Sequence, residues 1–148
     1  MALSWRASTI DVDLRLDPEP PGAFEAIAGL KDTLEINVEL ASPADFLPEV
    51  PGWRERSLFV RDVGPVAVYH YDPVSQVLAK LARGLDRDLA DADAMFARGL
   101  ATRAQVAEAL AAITPHLARF PRLDAPSLQA RVRALLMNAP DRTAEPTS

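Results

Sequence analysis

Apolar and polar residues alternate with period two from Thr9 to Leu16, which puts Ile10, Val12, Leu14 and Leu16 on one face of a strand. Asp11, Asp13 and Arg15 share the other face. The run Asp17-Pro18-Glu19-Pro20-Pro21-Gly22 ends that strand, because proline cannot donate to a ladder. Phe24, Ile27, Ala28 and Leu30 then recur at helical spacing and predict a helix from Ala23 to about Thr33. Leu34 to Leu40 alternates again as a second strand, with Glu35, Asn37 and Glu39 on its polar face. Ser42 to Asp45 suits a short capped turn, and Pro48 to Gly52 a loop. The apolar stretches 57–61 and 65–71 flank Asp62-Val63-Gly64 and predict a hairpin that completes the sheet.

From Asp72 the period changes to that of helices. Asp72-Pro73 is a start signal, Val77, Leu78 and Leu81 form a buried stripe, and Gly84 is a stop. A second helix is expected from Asp86 to Arg98, a third from Thr102 to Pro115 and a fourth from Ser127 to Pro140. Residues 140–148 carry almost nothing apolar and are expected to be a disordered tail. The expected class is therefore α/β (α+β): a mixed sheet with covering helices in residues 1–71, then a helical segment in 72–139, within one domain.

Composition narrows the chemistry. The chain has 148 residues, no cysteine and a formal net charge of −5, which excludes a disulfide scaffold, a thiolate zinc site and a cysteine nucleophile. The acidic balance argues against a surface that wraps long nucleic acid. Lys31 and Lys80 are the only lysines among 16 basic residues, a bias that follows base composition rather than function. No apolar run approaches the roughly 18 residues that span a bilayer, so a cytoplasmic protein is expected, without membrane association. His70 and His116 lie too far apart in sequence to read as a zinc pair, and both are expected to be structural. Trp5 and Trp53 are expected to pack at loop–core boundaries.

Asp11 and Asp13 are the sharpest chemical feature. Alternate positions on one strand project from the same face with α-carbons about 6.5–7 Å apart, a spacing at which two carboxylates can share a hard cation such as Mg²⁺ or Mn²⁺. Alone, the same pattern also describes the polar face of an exposed strand. Glu39 or Glu35 adds a third carboxylate if the two strands are neighbours, and clustered carboxylates repel unless a cation joins them. Arg15 shares the face and is expected either to pair with the aspartates or to contact phosphate. Two carboxylates so close on one strand cannot flank a bond from opposite sides, which disfavours a metal-free hydrolase. Lys80, Arg83 and Asp88 fit a solvated helix face with ion pairs as well as a phosphate site, and Asp86 fits a helix cap.

The stretches Trp5-Arg6-Ala7-Ser8-Thr9-Ile10-Asp11-Val12-Asp13-Leu14, Ile36 to Pro43, Pro51 to Ser57 and Lys80 to Asp91 resemble small bacterial nucleotidyltransferase-like proteins related to AbiEii-type toxins. The resemblance covers roughly Trp5 to Leu100. It implies a polymerase-β-like fold and Mg²⁺-dependent transfer of a nucleotide monophosphate from a nucleoside triphosphate to an RNA or protein acceptor. It also implies a toxin role beside an antitoxin protein. By position, Asp11, Asp13 and Glu39 would be the catalytic metal ligands, and Lys80, Arg6, Ser8 and Asp88 would serve the nucleotide. Such proteins carry a Gly-Ser or Gly-Gly element at a helix start before the aspartate strand, where backbone N–H groups hold phosphate. No glycine precedes Asp11 here. The alternative expectation is thus a truncated or non-catalytic relative that binds nucleotide or protein, with a homo-oligomer formed through the apolar surface that a missing helix uncovers.

Overall fold

The computed structural model describes residues 11–138 of the chain, Asp11 through its backbone only. It is a mixed α/β structure with four strands in two small sheets and six α-helices among the described residues. Strand β1 (Asp11–Leu14) runs parallel to β2 (Asn37–Leu40) with Asp11 opposite Asn37 and Asp13 opposite Glu39. The crossover between them is α1 (Ala23–Leu34), which starts after the Asp17–Gly22 proline run.

Helix α1 forms where expected but does not bury its apolar stripe. Only Ala23 is buried, while Phe24 and Leu34 are 66% and 55% exposed. Neighbouring strands lie about 4.8 Å apart, whereas a helix with its side chains is about 10 Å across, so a two-stranded ribbon is too narrow to receive the whole stripe. β2 begins three residues later than the alternation predicts. Glu35 takes a left-handed conformation with φ 52° at the end of α1, which removes it from the strand and leaves Glu39 as the β2 carboxylate.

After a 3-10 turn at Pro43–Asp45, the unpredicted helix α2 (Trp53–Arg56) leads into β3 (Leu58–Val63) and β4 (Val66–His70). These two strands pair antiparallel with a register shift between Phe59 and Arg61. The hairpin is as expected, but it does not complete the first sheet. Its apolar residues remain at the surface, with Phe59 58% and Val66 57% exposed. Pairing between strands distant in sequence depends on tertiary placement, which local alternation does not carry.

The core lies instead in the helical part: α3 (Pro73–Arg83), α4 (Asp86–Ala97), α5 (Arg103–Ile113) and α6 (Ala125–Met137). Val77, Leu78 and Leu81 of α3 meet Met95, Val106, Ile113 and Leu128, and Leu47 and Val50 of the preceding loop join them. Each boundary has a local cause. The Asp72 carboxylate accepts from Val74 N and Ser75 N to start α3, and Gly84 with φ 69° ends it. Thr102 and Gln105 form a reciprocal cap at α5. α6 starts two residues before the expected Ser127, because Asp124 is its cap and accepts from Ser127 N at 3.0 Å. Asp86 does not cap α4; Leu85 holds that position and Asp86 is the first helical residue. No helix among the described residues is long and apolar enough to cross a membrane. The expected tail at 140–148 lies outside the described residues.

Candidate functional site

The parallel register places Asp13 directly across from Glu39. Residues directly opposite in a ladder project from the same face with β-carbons about 5 Å apart, so one sheet face carries both carboxylates, and both residues are exposed. Among the described residues, no group of three His, Cys, Asp or Glu side chains is arranged to hold a metal ion. The Asp11 side chain, Arg6 and Ser8 lie outside the described residues.

A second charged cluster lies at the end of α3 and the start of α4. Lys80 Nζ donates to Asp91 Oδ2 at 2.8 Å, and Arg83 forks onto Asp88 with Nε at 2.7 Å and Nη2 at 2.5 Å. Helical spacing explains the pairing: Lys80 and Arg83 are three apart on α3, Asp88 and Asp91 three apart on α4, so each pair shares a face. Asp88 is fully buried and Asp91 nearly so, whereas the Arg83 side chain is 57% exposed. The hydrogen bond from Arg83 holds the Asp88 carboxyl below its ordinary range against the opposing effect of burial. The Asp88 bond in turn raises Arg83, and the charges of Asp13 and Asp91 act in the same direction.

The Asp88 carboxylate, expected to serve the nucleotide, is buried under Arg83 and orients a guanidinium whose Nη1 lies outside the fork. Arg83 is the residue that sequence pattern alone undervalued; the Arg-x-x-x-x-Asp spacing across Gly84 is its only signal.

Arg15 does not pair with Asp13. Its Nη2 donates to Glu49 Oε2 at 2.7 Å and its Nη1 to the Tyr71 hydroxyl at 3.1 Å. The guanidinium sits 4.2 Å from the Trp53 ring centre, and Trp53 stacks on Tyr71 at 5.0 Å and 21°. Arg15 holds the Glu49 carboxyl below its ordinary range, and burial pushes the Tyr71 hydroxyl up. Trp53 is partly buried at the start of α2, between the Arg15 guanidinium and Tyr71 and outside the helical core. Next to Tyr71, buried Asp72 accepts from Arg56 Nε and Nη2 at 2.9 and 2.7 Å and from Ser75 Oγ at 2.6 Å. Arg15 thus ties the chain just after β1 to Tyr71 before α3, and Asp72 ties α2 to the start of α3.

The histidines take no part. His70 ends β4 with its buried Nε2 lacking a partner among the described residues, and His116 is exposed in the 3-10 segment after α5. The strand pair can present two carboxylates to a hard cation, and Arg83 keeps its Nη1 outside the fork on Asp88. No family model, curated protein or solved structure matches the chain.

Proposed function

We propose that the chain is an Mg²⁺-dependent nucleotidyltransferase-like protein that transfers a nucleotide monophosphate from a nucleoside triphosphate to an RNA or protein acceptor. The observation that carries this reading is the Asp13–Glu39 pair on one sheet face, with Asp13 among the charges that act on Arg83. The donor set fits the ion. Carboxylate oxygens are hard ligands, and Mg²⁺ takes one or two of them while keeping water and substrate phosphate in its remaining positions. Asp13 and Glu39 would hold Mg²⁺ or Mn²⁺, with Asp11 of the same strand as the third candidate. Once bound, the ion supplies charge neutralisation at the phosphates.

The chain's own residues would do the rest by placement. Arg83, braced by Asp88, presents a fixed guanidinium suited to phosphate oxygens. Lys80, held by Asp91, is a point charge that can move to the triphosphate when that anion arrives. Phosphoryl transfer depends chiefly on such positioning and charge stabilisation. Within this proposal the fold is of the polymerase-β-like type, the setting is the cytoplasm, and an antitoxin protein is the natural partner of a toxin of this kind.

A second reading has its own support. Lys80 and Arg83 are already neutralised by Asp91 and Asp88, an arrangement that suits a module that binds nucleotide or protein without catalysis. Incubation with each α-labelled nucleoside triphosphate, Mg²⁺ or Mn²⁺, and total cell RNA and protein separates the two. Transfer that disappears in Asp13→Ala and Glu39→Gln supports the enzyme. Nucleotide binding without transfer selects the binding module, and neither binding nor transfer refutes the enzyme and every nucleotide-binding role.

A further inference from the structure

A cleft of about 380 Å³ opens between α3, α4 and α6 beside the first residue of α5, apart from the carboxylate face. Leu81, Leu89, Ala92 and Leu135 supply apolar wall, and Arg103 and Arg131 supply charge. The two arginines are built in differently. Arg131 Nη1 donates to the carbonyls of Leu81 and Ala82 at 2.9 and 3.2 Å. It packs so closely on Gly84 that a β-carbon there would fall 2.2 Å from its Cζ. Its guanidinium is therefore fixed at the cleft before any ligand arrives. Arg103 rests its guanidinium 5.1 Å from the Phe96 ring centre, and its Nε is buried with no hydrogen-bond partner among the described residues.

No hydrogen bond or ion pair commits the Arg103 guanidinium among the described residues and Arg131 commits only Nη1, so the remaining guanidinium N–H groups of both can take an anionic oxygen at the cleft. The apolar wall asks for a hydrocarbon body on the same molecule. Asp93 also borders the cleft, so two cations face one carboxylate and the local charge remains positive. We propose that this cleft binds a small amphipathic monocarboxylate, an acyl or aryl acid of roughly ten non-hydrogen atoms, a size suited to a pocket near the lower end of the ligand-binding range. The carboxylate would meet Arg103 and Arg131, and the hydrocarbon would lie on Leu89 and Leu135.

The test titrates the full chain with octanoate and, separately, with 1-octanol, followed by backbone amide shifts. Saturable octanoate shifts at Leu89, Ala92 and Leu135, with octanol weaker by about tenfold, are expected because a charge-assisted contact is lost in the alcohol. Arg103→Gln should weaken octanoate by about tenfold. Asp93→Asn should tighten it, a gain that damage to the fold cannot mimic. The proposal is overturned by the absence of saturation up to about 5 mM octanoate, which corresponds to negligible affinity. It is equally overturned by octanol binding as well as octanoate, or by an Asp93→Asn variant that binds no more tightly.

Discussion

Asp72→Ala should be the most costly single polar substitution in the described structure. The carboxylate is fully buried and accepts from Val74 N at 3.0 Å and Ser75 N at 3.2 Å, from Ser75 Oγ, and twice from Arg56. Loss of a helix cap costs about 1 kcal/mol. Breaking a buried ion pair costs about 3–5 kcal/mol when the surviving charge stays buried, but the Arg56 side chain is 28% exposed and can regain water. Together these give a loss of about 3 kcal/mol, or close to 10 °C in Tm for a domain of this size. Asp72→Asn keeps the shape and some acceptor capacity, and should lose about half as much. Urea unfolding followed by circular dichroism measures both, with an unchanged m-value showing that stability alone has moved. An Asp72→Ala midpoint indistinguishable from the parent would refute the view that this carboxylate organises the start of α3.

Gly84→Ala should destabilise by about 2 kcal/mol, since a β-carbon meets both the left-handed backbone and the Arg131 guanidinium; thermal unfolding reads this directly. Asp88 and Glu49 are both held below their ordinary range by arginine hydrogen bonds. Their contribution is present above the unfolded carboxylate range near pH 4 and is lost as pH falls through the depressed values. Urea midpoints should therefore drop on acidification below about pH 4, and the drop should shrink in Arg83→Gln. Phe59→Lys with Val66→Lys should raise the solubility limit and leave Tm within about 2 °C of the parent, because both side chains are already exposed.

Local signals account for most of the helix boundaries. Asp72-Pro73, Gly84 and Thr102 act through bonds to residues within four positions, so their effect is visible in a short window of sequence. The Asp124 cap acts through the same local chemistry, but Ser127, itself a good cap residue, competes with it in the sequence. Features set by long-range contact were beyond such a window. Alternation puts Arg15 on a strand face with Asp13, yet β1 ends at Leu14, the Arg15 partner Glu49 lies 34 residues away, and the Trp53–Tyr71 stack that supports it joins α2 to the segment before α3. Asp88 looks like any acid in a first helical turn until Arg83 is found folded over it. The hairpin's alternation specified two strands but carried no information on which strands they would join.

Asp13 and Glu39 are proposed to form a divalent-cation site, with Asp13 among the charges acting on Arg83. Paramagnetic broadening of backbone amides by Mn²⁺, with and without a nucleoside triphosphate, tests it most directly. The account predicts selective broadening at 11–14 and 37–40 that extends to the end of α3 when nucleotide is added, and that disappears in Asp13→Asn with Glu39→Gln. Broadening spread evenly over the acidic surface, unchanged in that double variant, would contradict it.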